Sequence, residues 1–474
     1  MLNITQNDYN IIKQRTTERY IKINLLDFNY NIVDEISGNM VSCSVRCDAD
    51  SDLRRSCDVS LVVVNKTFDI QPGGRIWLDK YIQVYIGLKN IYTDEIQWYN
   101  QGIYLIDAPS WQYDATNNVL SFSGLDLMSK LTGARNGQLE GVPTVIKQGE
   151  SVREAMIASL KLGGFTKYIV SECTNRDGTV QAVPYDIEID QGGYVFDILS
   201  KLRDILPQYQ IYFDVNGVFH YELIPSGEDD SVLIDDDVWD SVIVGENINT
   251  DFTTVKNYIE VYGRTHESNY YPSEISVSGP IISMTIADLT TLNAYNIIGF
   301  TLDKDVSGDI KLAVNSFGSK DLVSSTNAHI TSLKNNVYYV AQYQTNGTWL
   351  FLGGRQAQAI WQDDNPDSPF YVNGPVGRIR EVLYGGDYDN IMSDELALER
   401  AKIEIYWKCR LNDSISLEIV PIPWMDVNIV VSHASKDSET QNRYIVKSYS
   451  VDYSSVTSTM SVSMISFYPY YPLY

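Results

Sequence analysis

From Glu18 onward, apolar and polar residues alternate with a period of two over short runs separated by turn residues, a pattern of half-buried strands. Tyr20, Ile21, Ile23 and Leu25 make a first strand, and Met40–Cys47 a second. A polar, twice-basic turn (Asp48–Arg55) then feeds an apolar strand ending in Leu61-Val62-Val63-Val64. Trp77–Gly87, Gly102–Asp107 and Val119–Asp126 follow at similar spacing. Short, evenly spaced strands of this kind predict a barrel or sandwich. Residues 1–17 are polar and mixed, and predict an arm that orders only against a partner.

Past Lys130 the period changes. Ser151 and Glu154 form a capping box at the start of a helix that Gly163-Gly164 ends near Leu162. A second helix spans Tyr194–Leu206, with Val195, Ile198, Leu199, Leu202 and Ile205 on one face and Pro207 beyond it. Gln210–Asp214 and Val218–Glu222 then pair as a hairpin around Asn216-Gly217. Helix, helix, hairpin predicts a small α+β unit. Val255–Gly263 is another alternating strand, and residues 268–375 are looser, rich in Asn, Ser, Thr and Gly, and predict a mostly β insertion.

The segment Gly385–Asn428 contains the clearest helix. Ser393 is a suitable N-cap, and Asp394 and Glu395 suit the positive end of the helix dipole. Ala397, Leu398, Ala401 and Ile405 define its apolar face, and the run Arg410–Asp413 ends it. Ser414–Val420 alternates as a strand, which Pro421 and Pro423 terminate because proline cannot donate to a sheet ladder. Arg443–Asp452 and Ser458–Phe467 predict two final strands.

The Gly-Gly-Asp-Tyr-Asp-Asn run at 385–390, the capped helix with its Arg400-Ala401 step, Arg410-Leu-Asn-Asp-Ser, and Ile422-Pro-Trp-Met-Asp-Val-Asn resemble the C-terminal part of baseplate hub proteins of long-tailed bacteriophages. Asp52-Leu-Arg-Arg-Ser, the Trp77–Ile82 strand and Ser123–Gly133 resemble the first tube-type barrel of that family, and Phe213–Pro225 its middle domain. None of these is a catalytic motif. The resemblance implies a fold that is mainly β with α+β elements. It would hold an arm (1–17), a first tube-like barrel (18–132), an α+β linking domain (133–250), a second tube-like barrel (251–267 and 376–474) and the insertion (268–375). It implies a homotrimer that adapts a six-fold tail tube to the central spike or tip. The implied partners are tail tube or distal tail protein, spike or tip protein, and tape-measure protein, with DNA passing through the channel without sequence-specific binding. The implied place is the virion, after assembly in the host cytoplasm.

Composition sharpens this. A chain of 474 residues exceeds one ordinary core, so two to four domains are expected. The 34 tyrosines and the Thr/Val/Ile runs favour β structure. A net charge of −25 argues against a sequence-reading nucleic-acid binder, which needs a basic footprint. The same acidity suits either a wall that repels DNA or simple solubility. Five cysteines without a CxxC motif predict reduced, buried thiols, and Cys43 and Cys47 on one strand face stand about 13 Å apart, too far for a disulfide. No apolar run approaches the length of a bilayer crossing, and the N-terminus has no secretory pattern.

Candidate chemistry is sparse. There is no HExxH, nucleophile elbow, Walker loop or GxGxxG, and the four histidines (His220, His266, His329, His433) lie far apart. No catalytic residue, cofactor or metal site is expected, and His220 reads as a sheet-surface histidine. Asp48, Asp50 and Asp52 form an acidic turn balanced by Arg54 and Arg55, because a calcium loop would want glycine and glutamate where Leu53 and Val59 stand. Asp363–Asp367 reads as a turn. An alternative is a carbohydrate-binding or cell-wall-degrading tail protein, with Trp349, Trp361 and Tyr371 as a stacking surface. Interface or structural roles are expected for Arg54, Arg55, Arg400, Arg410 and Asp413, for Trp424 as a buried anchor, and for Tyr468, Tyr470 and Tyr471 in a tail that docks on a neighbour.

Overall fold

The structure is a computed structural model. It describes the chain apart from residues 1–3, 37–38, 63–69, 114–117, 142–143, 176–177, 228, 230–235, 436–440, 454–458 and 468–474. The fold is mainly β, as the alternation predicts.

The N-terminal half supplies β1 (Arg19–Leu26), β2 (Ile32–Ile36), β3 (Asn39–Asp48), β4 (Arg55–Val62), β5 (Tyr81–Lys89), β6 (Ile96–Tyr113) and β7 (Asn118–Asp126). They pair antiparallel in the order β3-β4-β7-β6-β5-β1-β2. Along β4, Cys57, Val59 and Leu61 turn inward while Ser56, Asp58 and Ser60 turn outward, so the period of two in the sequence becomes one dry face and one wet one.

The polar arm does not wait for a partner. It forms α1 (Gln6–Ile12), and Ile11 and Ile12 bury in the same core as β1 and β5. Asp8 closes a capping box with Thr5 and accepts a 2.6 Å bond from the Tyr99 hydroxyl. Two adjacent isoleucines were enough to anchor a segment that otherwise reads as polar.

The linking region holds β8 (Thr144–Ile146), α2 (Val152–Leu162), β9 (Tyr168–Val170), β10 (Ile187–Ile189), α3 (Val195–Arg203), β11 (Tyr209–Phe213) and β12 (Phe219–Leu223). Ser151 caps α2 by accepting from Glu154 N, and all five apolar residues expected on the α3 stripe are buried. The β11–β12 hairpin closes through five residues rather than the three left between the expected strands. Asp214 accepts from the amides of Asn216 and Val218, and Gly217 takes a φ of +72°.

After α4 (Asp236–Val242) come β13 (Ile243–Asp251) and β14 (Tyr258–Thr265). The next nine strands are β15 (Glu274–Ser278), β16 (Ile281–Thr285), β17 (Ile297–Thr301), β18 (Val306–Ser307), β19 (Lys311–Val314), β20 (Ser319–Val323), β21 (Ser332–Leu333), β22 (Tyr338–Tyr343) and β23 (Trp349–Gly353). They build a separate core around Trp349, Phe300 and Leu312. The following strand, β24 (Gln356–Gln362), leaves that core and pairs with β14, whose other edge takes β25 (Arg380–Tyr384). Helix α5 (Asp394–Lys408) packs on this three-stranded sheet. β14 is therefore buried at four consecutive positions rather than alternating. Of the expected α5 face, Ala397, Ala401 and Ile405 are buried and Leu398 only half so, while Leu396, Ile403 and Tyr406 are buried as well.

The last strands are β26 (Asn412–Ile419), β27 (Val430–Ala434), β28 (Gln441–Asp452) and β29 (Met460–Ser466). They do not form a sheet apart. β28 pairs with β3 from Ser448↔Asp48 to Asp452↔Ser44, so both halves of the chain join in one 12-stranded sheet running from β13 at one edge to β2 at the other. The strand β26 ends at the prolines as expected, and Pro423 O then accepts a 2.7 Å bond from Gln101 Nε2 across the core. Among the described residues no helix is long and apolar enough to cross a membrane.

Candidate functional site

The continuous sheet presents a wet face of unusual chemistry. Residues directly opposite on paired strands share a face, so the register can be followed across it. Asn247 faces Ser416, Ser416 faces Ser463, and Ser463 faces Ser448. One step along, Glu418 faces Ser461, Ser461 faces Ser450, and Ser450 faces Arg46 across the junction of the two halves. Ser44 faces Asp58, Asp58 faces Ser123, and Ser60 faces Ser121 within 2.8 Å. Seven adjacent strands, from β13 through β7, thus carry serines, asparagines and carboxylates on one side. On that side Asp58 answers Arg46 at 3.8 Å, and Arg54 borders the hollow that Arg46 shares with Ser448, Ser450, Ser461 and Ser463. Small neutral hydroxyls interspersed with carboxylates give a hydrated surface with little to hold a polyanion. The signal was in the sequence, in Ser121-x-Ser123, Ser414-x-Ser416, Ser448-x-Ser450 and Ser461-x-Ser463. Only the register shows that these pairs lie side by side.

Behind this face sits a clamp. Arg54 and Arg55 do not balance a solvated turn; both are buried, at 5% and 3% exposure. Alternation at the start of β4 sends them to opposite sides of the chain. Arg55 Nη2 meets Asp426 Oδ1 at 2.5 Å, and its Nη1 donates to Phe213 O at 3.0 Å. Arg54 Nη2 donates to Gln210 Oε1 at 2.5 Å, and its guanidinium stacks 4.0 Å over the Tyr212 ring. Gln210 Oε1 also accepts from Asn428 Nδ2 at 2.7 Å. One dipeptide therefore ties the N-terminal strands, the linking hairpin and the Asp426–Asn428 corner together. Asp126 completes it, accepting from Arg55 N at 3.1 Å and Met128 N at 2.8 Å, while burial pushes its carboxyl up. Among the exposed acids of the turn, Asp50 is answered by Lys447 at 2.6 Å.

His220 belongs to the same hairpin and is not a sheet-surface residue. Its ring stacks on Tyr212 at 4.9 Å, between Asp214 and Glu222, each 3.5 Å from a ring nitrogen. Burial lowers its pKa, but the two carboxylates outweigh burial and raise it to about 9. A folded-state pKa above the unfolded value of about 6.5 adds stability that is complete below pH 6.5 and lost as pH rises through 9. The expected loss between pH 6.5 and 9.5 is about 1 kcal/mol once solvent screening is allowed for. Urea unfolding of His220→Gln should lack this part of the slope; identical slopes in variant and wild type would contradict it.

The other expected positions are dispersed. Arg400 Nε pairs with Glu404 at 2.8 Å on α5. Trp424 is buried at 6% exposure, packed against Tyr9 of α1 and Tyr99 of β6. Asp413 lies in β26 with its backbone opposite Thr250, and its side chain lies outside the described residues. Tyr468, Tyr470 and Tyr471 also lie outside them. Arg410 ends α5 almost fully buried. Trp349, Trp361 and Tyr371 do not form one stacking surface. Trp349 fills the insertion core with no exposure, and Trp361 sits on β24 under Lys402. Asp363 is buried, and its carboxylate takes the Ser368 hydroxyl and the Asn365 amide. All five cysteines are buried thiols outside any disulfide, and burial pushes Cys43 and Cys47 up to about 12. Among the described residues no group of three His, Cys, Asp or Glu is placed to hold a metal ion.

A family described as a domain of unknown function, DUF5048, matches residues 367–471. No curated protein matches the chain in sequence. Among solved structures, the 43 kDa tail protein of prophage MuSo2 from Shewanella oneidensis aligns over 94% of this chain and 98% of its own, with a TM-score of 0.51 at 12% identity. A tail protein from Neisseria meningitidis covers 94% and 96% with a TM-score of 0.48 at 8% identity. The prophage tail protein gp18 from Listeria monocytogenes covers 93% and 94% with a TM-score of 0.46 at 9% identity. The first of these shows that the chain shares the fold of that prophage tail protein, in line with the resemblance carried by its own sequence.

Proposed function

We propose that this protein is a structural, non-enzymatic hub of a phage-type tail, and that its serine face lines the central channel. Three copies form a ring, each supplying two tube-like barrels that share the continuous sheet, so that six similar units meet a six-fold tube. The first barrel comprises residues 18–132. The second takes 251–267 with 376–474 and, beyond those bounds, also β13 and β24, which pair with β26 and β14; the remaining parts of 133–250 and 268–375 lie between them in sequence. The partners are the tube or distal tail protein on one side, the spike or tip on the other, and tape-measure protein and DNA in the lumen. Assembly takes place in the host cytoplasm and the working place is the virion.

The observation that carries this reading is the serine face itself. Its described side chains are mostly small hydroxyls interspersed with carboxylates, continuous over both halves of the chain. A duplex sliding past needs a wall that offers no phosphate contacts. Mass measurement of purified protein and a reconstruction of tail particles should give three copies at the tube end. A stable monomer missing from purified tails would overturn the assembly. The wall is tested by the triple variant Ser416→Arg, Ser450→Arg, Ser461→Arg, at three exposed positions of the face. Particles should assemble normally and eject DNA roughly tenfold more slowly at low salt, with the defect easing as salt rises. Ejection at the wild-type rate would remove the face from the lumen.

A further inference from the structure

Among the described residues, Arg410 is a buried guanidinium that lines a hollow and whose charge no carboxylate answers. Arg410 follows the C-terminal end of α5 and is 6% exposed. Its Nη1 donates to Ser466 O, and its guanidinium lies 4.9 Å over the Trp407 ring. No carboxylate among the described residues comes within ion-pairing distance of it, and burial without a counter-charge lowers its pKa to about 10. It lines a hollow of about 290 Å³ with Trp407, Lys408, Lys447, Asp50 and Thr254. A buried guanidinium retained without a counter-ion is costly unless something else answers it.

The charges around the hollow say what that is. Lys447 is paired with Asp50 at 2.6 Å. Lys408 is paired with Glu381 at 2.7 Å and Glu404 at 3.0 Å. Glu404 also answers Arg400 at 2.8 Å, so among the described residues Asp50, Glu381 and Glu404 face Lys447, Lys408, Arg400 and Arg410, and the charge of Arg410 is left over. A phosphate carries nearly two negative charges at neutral pH and overcompensates; a carboxylate carries one and fits the planar guanidinium fork. Trp407 holds the guanidinium plane in place before any ligand arrives, so little side-chain entropy is lost on binding.

We propose that the hollow at Arg410 is a carboxylate-binding site, filled in the assembled tail by an acidic side chain of an adjoining protein chain. The site stands on this chain's own geometry; the identity of the donor as a neighbouring subunit rests on the assembly proposed above. The exposed Thr254 and Asp50 stand at the mouth, where a chain outside can reach in.

The test uses the full-length chain with ¹⁵N-labelled arginine, titrated with sodium acetate against sodium chloride at equal ionic strength. The Arg410 Nε–H signal, assigned by its loss in Arg410→Met, should move saturably with acetate, with half-saturation on the order of 10 mM. Thr254→Trp plugs the mouth without touching the Ser466 or Trp407 contacts, and should keep the signal while abolishing its response. Equal shifts with chloride, an unaltered response in Thr254→Trp, or tighter binding of inorganic phosphate than of acetate would each overturn the carboxylate site. On assembled particles, acetate should loosen wild-type rings and leave Arg410→Met rings unaffected. Rings of both kinds insensitive to acetate, with a responsive isolated chain, would remove the neighbouring subunit as donor and leave the site.

Discussion

Replacing Asp426 with alanine is expected to lower the unfolding free energy by about 3 kcal/mol, among the largest effects of any single change in this chain. Asp426 is the counter-ion of Arg55, whose side chain is 3% exposed while its own is 32% exposed. Removing it strands a guanidinium that cannot reach water. The half-exposed position of Asp426 keeps the loss at the lower end of the range for broken buried pairs. The Phe213 carbonyl stays bonded to Nη1 but does not carry a charge. The clamp joins three regions, so the damage should spread. Urea unfolding followed separately by tryptophan fluorescence and far-UV circular dichroism should shift together. The double change Arg55→Met, Asp426→Ala should recover most of the loss, because an apolar side chain of similar length costs little in that core. If the single variant unfolds like wild type, Arg55 is not held by this pair.

Trp349→Ala should cost about 4 kcal/mol, but only locally. Trp349 is wholly buried between β22 and β20, with its ring 5.2 Å from Tyr343. Among the described residues, the core it fills, with the half-buried side chains packed on it, is drawn from Tyr270 to Phe351. Its Nε1 makes no hydrogen bond, so Trp349→Phe loses volume and no polar partner, and should cost much less. Limited proteolysis of Trp349→Ala should cut within the insertion and leave the remainder whole. Ahead of β24, hydrogen bonds between this core and its surroundings run from Tyr295 to Gln148 O at 2.5 Å, from Gln148 to Gln342 at 2.6 Å and from Ser325 to Glu395 at 2.7 Å. Cleavage throughout the chain would show instead that insertion and sheet unfold as one.

Local signals were read well where the local physics is strong. Ser151 and Ser393 cap their helices, Pro207 stands past the end of α3, and the α3 stripe is buried as a stripe. Each depends on residues within one or two turns of each other. The readings that needed correction share another cause. Arg54 and Arg55 look solvated in a turn of aspartates, and only the approach of Gln210, Phe213 and Asp426 turns them inward. His220 looks like a surface residue because Asp214 and Glu222 become its neighbours only when the hairpin closes. Trp349 looks available for stacking, since a β run does not say which of its faces a second layer will cover.

By itself the sequence determined that this chain is a mainly β protein. It also determined that its strands have one wet and one dry face, that three helices, two of them capped by Ser151 and Ser393, interrupt them, and that no familiar catalytic motif is present. Those properties follow from periodicity, caps and composition, which act over a few residues. The tertiary structure alone decided that β28 joins β3, fusing two distant halves into one sheet. That pairing aligns scattered serine doublets into a single face and draws two arginines into a clamp. It depends on contacts between residues about 400 positions apart, for which neither period nor propensity carries information.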